Sequence, residues 1–564
     1  MTQTSCSVAF GLFALELKAD ARFSAAAEWS ALSSASDLQD GNVNMRPYAT
    51  YEPDFWLLDG NYKFLSENTD GVHVGLVSAE ITDAAGEFTN NPILQIDFSH
   101  PQTIDGVSFR FSPFTGDYAS ELNIVYRNSI MEVIRSERYY PDGVEWSTNE
   151  AVSGVKQIVV SFFGTNRPHR YLRVQSVDFG ELVWFEQDAV RSATVVEECD
   201  PLSGELRANT LDLSLWSDDA RFSILDPEGD YADLRERQPL AVYETVDNTR
   251  LFIGQYFLST WENRSEQEIE FSCTDLIGLM GQVSCRGGLW AAPGVAVEEL
   301  LDDLLTPASI PYELDETLKG AMLIGWIPAG TLREALQQIA FAIGASVDTS
   351  RAWSVRITPM LMAATEDATA HITRAQKGAQ QSVSLLSRIT GVEVTAHSYL
   401  AGTQTRELLD ETLAAGTHEV LFDRPMHSLS ATGATITESG ANYAVLTVAS
   451  EGAVTLEGNE YIDTRKVVSI EAPYVATSLK SIVRVSDATL VHPGNVNAIT
   501  QRVYDYYQQR YRQKLRLFAP EVAVGQVVTV DTLYHRQIRA LIEKMSLDLT
   551  RGMIADAEMT GVAV

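Results

Sequence analysis

Cysteine is scarce in this sequence, which has four cysteines in 564 residues: Cys6, Cys199, Cys273 and Cys285. None belongs to a Cys-x-x-Cys pair, and four are too few to cross-link a chain of this length. We therefore expect no disulfides, and the composition fits folding in a reducing compartment. No histidine lies close in sequence to Cys273 or Cys285, so we interpret both as small buried side chains.

Basic residues are also few, because 42 Lys and Arg are set against 76 Asp and Glu, which gives a formal net charge of −34. The acidic residues are spread along the whole chain. Such a surface repels nucleic-acid phosphates and anionic membranes, so no specific nucleic-acid binding is expected. The sequence has no uninterrupted apolar run of about 18 residues, so no membrane span is expected. The apolar run Val8 to Leu15 has no basic residue before it and is interpreted as a strand.

The motifs of common active sites are missing. There is no HExxH, no GxSxG, no P-loop and no GxGxxG after a strand. The carboxylates Glu298, Glu299, Asp302 and Asp303 fall on the polar face of an amphipathic helix, where solvent is the ordinary partner. We therefore predict a protein that is not an enzyme, with no catalytic residue, no cofactor and no metal site.

What the sequence does contain is a series of short β-strand patterns, and its length requires about three to five domains. The predicted class is mainly β and multidomain. The predicted segments are an N-terminal arm or extra layer (1–70), a β-sandwich or jelly roll (71–187), a β-barrel (188–286), a small α+β insertion (287–370), a β-rich segment (371–480), and a second β-barrel with a helix (481–564).

The stretch from Leu240 to Met280 organises the chain. Two runs rich in β-branched and aromatic residues, 241–246 and 251–258, are joined by a turn and predict a hairpin. The next run alternates polar and apolar side chains, which predicts a strand with one buried face. Its polar face consists of Glu268, Glu270 and Ser272, and a short helix is predicted to follow, capped by Thr274 or Asp275.

Three helices are predicted from 3.6-residue periodicity: Pro293 to Ile310, Thr331 to Ile343 and Ala498 to Leu515. In the second, Thr331 and Glu334 form a capping box and Gly344 ends the helix. The remaining C-terminal residues predict a three-stranded antiparallel closure: 525–530, 537–549 and 554–562.

The strand series ILQIDF (93–98), TIDGVSF (103–109), VKQIVV (155–160) and RYLRV (170–174) resembles a discoidin-like, galactose-binding-like jelly roll. Members of that fold often bind sugars through loop aromatics, and many are purely structural. The turn YYPDG at 139–143 presents the possible ligand-binding residues Tyr139 and Tyr140, with Trp146 close by. Packing beneath the loop is the open alternative. Further aromatic candidates are Tyr118 and Trp184.

Residues 190–564 resemble the tail hub proteins of bacteriophages, which sit at the tip of the tail tube or the centre of the baseplate. The matching motifs, in order, are GQYFL (254–258), FSCTDLIGL (271–279), GTLREALQQIA (330–340), ITGVEV (389–394), YDYY (504–507) and VGQVVTV (524–530). The resemblance implies a homotrimer with two barrels per chain in a pseudo-sixfold ring. That ring would bind the tail tube or a distal tail protein and other tail-tip proteins.

The same resemblance implies a virion tail location, assembly in the bacterial cytoplasm, and DNA ejection through a lumen. Glu268, Glu270 and Ser272 are candidates for contact with that lumen or with another subunit. Two alternatives stay open. One is a receptor or polysaccharide-binding tail protein acting through the jelly roll. The other is a tail-associated cell-wall hydrolase, for which the sequence after its last barrel strand offers no further domain.

Overall fold

The computed structural model describes residues 4–25, 27–31, 33–40, 48–53, 55–56, 74–217, 223, 234, 236–247, 249–473, 475, 479–520, 522–532 and 536–564. Strands dominate these residues, and the mainly-β, multidomain class predicted from the sequence is confirmed. The sequence also predicts a short strand at 44–51 and turns at 56–60 and 533–536. Residues 44–47, 57–60 and 533–535 of these segments lie outside the described residues.

The N-terminal elements build a two-sheet β-sandwich. They are β1 (Thr4–Phe13), α1 (Leu15–Asp20), β2 (Arg22–Ala25), α2 (Ala35–Asp40), β3 (Leu76–Val77), β4 (Ile93–Ile104), β5 (Val107–Phe111), β6 (Ala119–Arg127), β7 (Val133–Tyr139), β8 (Glu145–Ser147), β9 (Val152–Thr165) and β10 (Arg173–Phe185). One sheet has the order β2-β4-β9-β6-β7, and the other contains β3, β10, β5 and β8. Phe109 of β5 meets Phe162 of β9 edge to face at 6.0 Å, which joins the two sheets through one apolar core.

The next elements lie in the segment predicted as the first barrel, which we call the first barrel region: β11 (Val190–Glu198), β12 (Thr210–Trp216), β13 (Pro239–Val246), β14 (Thr249–Asn263), β15 (Glu268–Thr274) and α3 (Leu276–Met280). The first strand, β1, pairs antiparallel with both β10 and β13, so Val8 lies opposite Phe185 on one side and Val242 on the other. Val8 and Phe10 are fully buried. Thus β1 is an interior strand of the large sheet, which differs from the arm or outer layer expected for residues 1–70.

An α+β layer follows: β16 (Ser284–Cys285), β17 (Gly288–Ala296), α4 (Val297–Leu305), β18 (Tyr312–Leu314), β19 (Met322–Ile327), β20 (Gly330–Thr331), α5 (Leu332–Ile343), β21 (Ala345–Asp348) and β22 (Val355–Pro359). The capping box of Thr331 and Glu334 and the left-handed Gly344 are confirmed. Helix α4 is shorter than predicted and begins at Val297, because Gly294 adopts φ +94° and the residues after it pair with β19.

A long β-hairpin then projects from the body. The elements are β23 (Ala370–Ile372), β24 (Lys377–Leu385), β25 (Gly391–Leu413), β26 (Gly416–Leu421), β27 (Met426–Thr432), β28 (Thr435–Ser439), β29 (Tyr443–Val448), β30 (Gly452–Glu471) and β31 (Ile482–Val485). Strands β25 and β30 form the hairpin, and β26–β29 fold over its distal half. We call residues 402–458 the tip module, which has its own small core around Leu446 and Leu456.

The C-terminal elements are α6 (Val496–Tyr507), β32 (Tyr511–Phe518), β33 (Val527–Asp531), β34 (Gln537–Asp548) and β35 (Ile554–Ala563). The predicted helix from Ala498 to Leu515 is therefore wrong beyond Tyr507. Residues 511–518 are a strand that pairs with β24 and β35, and Leu515 and Leu517 on its inner face join the barrel core. The closing strands β33, β34 and β35 are confirmed.

The two barrel regions share one sheet. Residues 544–548 of β34 pair antiparallel with residues 194–198 of β11, and this continuous sheet runs in the order β24-β32-β35-β34-β11-β12-β15-β14-β13-β1-β10-β5-β8. Their apolar side chains also form one core, which contains Val195 of β11 and Leu547 of β34, both fully buried. The seam between the two regions is thus built like the interior of a single domain.

Candidate assembly surface

One face of the sheet is polar over eight consecutive strands, β24-β32-β35-β34-β11-β12-β15-β14. We call it the polar face. All neighbouring pairs in this series are antiparallel. Because side chains alternate along a strand, the opposite face of these strands, apart from β24, supplies the barrel core. The arrangement places charged side chains in cross-strand rows, while on the same face Leu541 of β34 is covered by Ala363 and Val527.

The predicted alternation of β15 is confirmed, since Ile269, Phe271 and Cys273 lie in the core and are 1–3% exposed. Across the sheet, Ser272 donates a 3.1 Å hydrogen bond to Asp212, and Ser214 of β12 donates one of 2.8 Å to Glu268. Glu270 pairs with Arg264 at 2.6 Å. The polar face around β15 is therefore rich in carboxylates, with Arg264 paired to one of them.

Charges on the other half of the polar face are paired. Arg516 of β32 makes two hydrogen bonds of 2.8 and 2.7 Å with Asp556 of β35. The ammonium group of Lys514 on β32 forms an ion pair with the carboxylate of Glu558 on β35. Lys544 of β34 pairs with Glu198 of β11 and so bridges the seam between the two barrel regions. Exposed pairs of this kind contribute little stability because solvent screens them, so their main effect is on the surface charge.

A buried polar cluster holds the segment between β15 and α3, where the chain leaves the first barrel region. Asp275 caps α3 by accepting from the Gly278 N–H at 2.9 Å, and it also accepts from the Asn209 N–H at 2.9 Å and from the Thr349 hydroxyl at 2.5 Å. Burial raises the pKa of Asp275 to about 6, against the opposing effect of these hydrogen bonds. The cluster ties the α+β layer to the barrel. The sequence predicted the helix cap at this position but none of the other contacts in the cluster.

The aromatic residues predicted to form a ligand-binding loop differ in their exposure to solvent. Tyr139 lies against Trp146 at 5.3 Å, and Trp146 stacks on the core residue Phe109 at 6.2 Å. Burial, followed by the negative charge of Glu137, raises the pKa of Tyr139. Tyr140 alone is well exposed, at 66%. The structure therefore brings Tyr139 and Trp146 together beneath the turn and leaves Tyr140 on the surface.

The other aromatic candidates pack against neighbouring residues. Tyr118 contacts the sandwich core, and Trp184 lies 5.6 Å from Tyr243 with the guanidinium of Arg250 over its ring. Both side chains contribute to packing in this structure.

A charged cluster at one end of the sandwich was missed from the sequence. Glu52, which is fully buried at its side chain, pairs with Arg173 at 2.5 Å and accepts a 2.8 Å hydrogen bond from the Tyr171 N–H. Asp117 is likewise buried and pairs with Arg167 at 2.7 Å, and burial raises its pKa. The partners are 50 to 121 residues apart, so spacing could not reveal them. The run of arginines at 167, 170 and 173 was the available signal.

Within the described ranges, no three His, Cys, Asp or Glu side chains are grouped so that they could hold a metal ion. No helix in the same ranges has the length and apolarity to cross a membrane. All four cysteines are buried and unpaired with one another, and burial raises the pKa of the Cys273 and Cys285 thiols.

No family model matches the sequence, and no curated protein matches it. Among solved structures, the chain is similar to a tail protein from Neisseria meningitidis MC58, with 10% identity over 68% of this chain and 94% of that one and a TM-score of 0.41. A 43 kDa tail protein of prophage MuSo2 from Shewanella oneidensis is similar at 9% identity over 67% and 94%, with a TM-score of 0.40. The lectin-binding domain of lectinolysin in complex with Lewis b is similar at 13% identity over 30% and 98%, with a TM-score of 0.20. The solved structures that this chain resembles thus include phage tail proteins and a lectin domain, and the resemblance is one of fold.

Proposed function

We propose that this chain is a structural hub protein at the tip of a phage or phage-like tail. In this proposal three copies form a ring that joins the tail tube to the tip and lets DNA pass. The observation that carries it is the pairing of β34 with β11, which joins two four-stranded halves of one chain into a continuous series of eight strands, within the large sheet, that has a polar face.

The two halves are comparable units. Each consists of four antiparallel strands, β24-β32-β35-β34 and β11-β12-β15-β14, and each places apolar side chains in the shared core. Three such chains would present six similar sheet units around one axis, which fits the ring implied by the sequence resemblance. A ring of this type can meet a sixfold tube on one side and a threefold tip on the other.

The charge of the chain suits a channel for DNA. The net charge is −34, and the β14–β15 hairpin contributes Glu262, Glu268 and Glu270 at one end of the polar face. A carboxylate-rich wall repels phosphates and offers no sites for tight, salt-dependent binding. We infer that the polar face lines the lumen and that DNA slides along it without specific contacts.

The remaining assignments follow from this role. The partners are the tail tube or a distal tail protein and other tail-tip proteins, and the protein acts without catalysis. Its place is the virion tail, after assembly in the bacterial cytoplasm. The predicted segments are proposed as its functional units, with β1 assigned to the large sheet and β24 to the second barrel region, and with the rest of the N-terminal sandwich outside the ring.

The test is the mass and symmetry of the purified full-length chain. Light scattering should give three times the chain mass of 62.1 kDa, and negative-stain images should show threefold rings. A protein that stays monomeric at all concentrations, with no rings in tail tips that contain it, would contradict the proposal.

A second candidate is receptor or polysaccharide binding through the sandwich, favoured by the exposed ring of Tyr140 beside the turn at 141–143. Glycan-array binding by the full chain that is lost in Tyr140→Ala would support it. The control is Tyr51→Ala, because Tyr51 is also exposed, at 89%. Absence of binding to any glycan, or equal binding by both variants, would argue against it.

A further inference from the structure

Strand β24 ends the large sheet with an open edge. It pairs with β32 on one side, and among the described residues no strand lies on its other side. All five residues of its second half, 381–385, are exposed. They include Val383 at 51% and Leu385 at 57% exposure. The edge therefore offers unpaired backbone groups together with apolar side chains.

Such an edge is usually protected. Proteins place lysine, proline or a bulge on edge strands because an open edge recruits further strands. The segment 381–385 reads Gln-Ser-Val-Ser-Leu, with no charge and no proline, and its pairing with β32 is regular from Gln381 to Leu385. Lys377 and the register shift between Lys377 and Gln381 protect the first half of β24. Its second half lacks such protection, as expected of an edge that another strand covers in an assembly.

The opposite end of the eight-stranded series has a matching edge. Strand β13 pairs with β14 only as far as Phe257, and Leu258 bonds to the backbone of residues 237 and 238. Beyond that point, residues 260–262 pair with β15 and have no second strand beside them in the part of the chain that is described.

The two edges can pair antiparallel, and their polar and apolar faces would then lie on the same sides of the sheet. An even number of antiparallel strands separates them, so β24 of one copy would lie antiparallel to β14 of the next. On β24, Ser382 and Ser384 share the polar face, as Thr260 and Glu262 do on β14. Val383 and Leu385 point to the core side, as Trp261 does.

The charges near the two edges are complementary. Strand β32, beside β24, carries three basic residues and no carboxylate: Arg512, Lys514 and Arg516. The hairpin 262–270, which joins β14 to β15, carries four carboxylates and one arginine: Glu262, Glu266, Glu268, Glu270 and Arg264. The three basic side chains already pair with carboxylates of β34 and β35 within the chain. The charge effect between copies therefore comes mainly from the acidic hairpin, which disfavours contact between two identical β14 ends.

We propose that residues 381–385 of β24 add as an antiparallel strand to residues 260–262 of β14 in the next copy. This inference rests on the proposed function, because it names the contact that closes the ring. The contact is head to tail, so it repeats around a closed cycle and makes the eight-stranded sheets continuous from copy to copy. It covers Val383 and Leu385 at each junction.

Cysteine cross-linking of the full chain tests the contact, and the burial of all four native cysteines keeps the background low. A double variant, Ser384→Cys with Thr260→Cys, is treated with a short bis-maleimide. We expect cross-linked dimers and trimers on a denaturing gel, and monomers for each single variant. Dimers from Ser384→Cys alone would show a twofold contact and overturn the proposal, as would a trimer in solution that yields no cross-link.

A second pair of variants tests the apolar residues. Val383→Lys with Leu385→Lys should raise the concentration at which half the trimer dissociates by at least about tenfold, because two charges would be buried at each junction. The control Val467→Lys alters a residue that is 59% exposed on β30 and should leave dissociation unchanged. Equal dissociation of all three proteins would overturn the inference alone, whereas a wild-type chain that never forms trimers would overturn the proposed function with it.

Discussion

The indole nitrogen of Trp326 donates a 2.6 Å hydrogen bond to the side-chain oxygen of Asn442. Asn442 is fully buried, and its amide nitrogen donates to the carbonyl oxygens of Arg286 and Ile327 at 2.8 and 2.7 Å. One side chain of the tip module thus satisfies three groups of the α+β layer, which fixes the module against the body of the protein.

Asn442→Ala should loosen the tip module. The change leaves the Trp326 indole and two carbonyl groups without partners, which costs about 3 kcal/mol in the free energy of local opening. Hydrogen exchange of residues 402–458 measures this opening. The control is Glu438→Gln, which weakens an exposed 3.0 Å contact with Arg286 and should change the opening far less, because solvent screens that pair. Equal exchange in both variants would contradict the anchoring role.

Glu244 should make stability depend on pH. Its carboxylate is buried without a hydrogen-bond partner in the described structure, and burial raises its pKa to about 7. Because the folded state holds the proton more tightly than the unfolded state, stability falls as pH rises from about 4.5 to 7, by about 3 kcal/mol. Glu244→Gln should flatten this slope in urea unfolding at pH 5 and pH 8. Glu262→Gln is the exposed control, and an unchanged slope in both would refute the assignment.

Arg173→Ala should destabilise the N-terminal sandwich by about 3–5 kcal/mol, because it leaves the buried carboxylate of Glu52 without its charged partner. The double variant Arg173→Met with Glu52→Leu should lose less. Thermal unfolding monitored by aromatic fluorescence measures the difference. A smaller loss in Arg173→Ala than in the double variant would show that the pair does not stabilise the fold.

The same pair predicts sensitivity to acid. Burial raises the pKa of Glu52, but hydrogen bonding and attraction from Arg173 outweigh that effect and hold the pKa below its usual range. The pair therefore stabilises the sandwich above about pH 4.5, and this contribution is lost as pH falls through the lowered pKa. Unfolding of wild type and the double variant between pH 3 and pH 6 should show the steeper acid loss in wild type.

Reversing charge on the polar face should slow DNA passage. Fewer particles should form with Glu262→Lys, Glu268→Lys and Glu270→Lys, because this hairpin also faces the next copy. The particles that form should eject DNA more slowly, with the delay reduced at high salt, because lysines on a lumen wall bind phosphates. Glu407→Lys with Glu411→Lys is the control, since both residues are exposed on the projecting hairpin. Normal ejection by the first variant would show that these residues lie outside the lumen.

Local sequence patterns predicted local structure well where one period dominated. The capping box of Thr331 and the two-residue alternation around Phe271 both have the predicted geometry. The errors occur where one segment fits both the helical period of 3.6 residues and the strand period of two residues. Residues 511–515 place an apolar or aromatic side chain at positions compatible with both helix and strand, and pairing with β24 and β35 on either side decided for strand.

The candidate ligand loop shows a similar limit. The turn at 139–143 was visible in the sequence, but which ring faces solvent depends on the strands beneath it. Trp146 packs on Phe109, 37 residues earlier in the chain, and Tyr139 packs on Trp146, so only Tyr140 stays exposed. Burial of an aromatic side chain is a property of the assembled core, which local composition does not specify.

The sequence by itself determined the β-rich class, the polar and apolar faces of strands such as β15, the scarcity of basic charge and the caps of the helices, because each depends on residues close together in the chain. The tertiary structure decided that β1 lies between β10 and β13, and that β34 pairs with β11. Lys544 and Glu198, which meet at that seam, are 346 residues apart. Pairing over such a distance depends on the packing of a shared core, so only the folded chain shows that two barrel regions form one sheet.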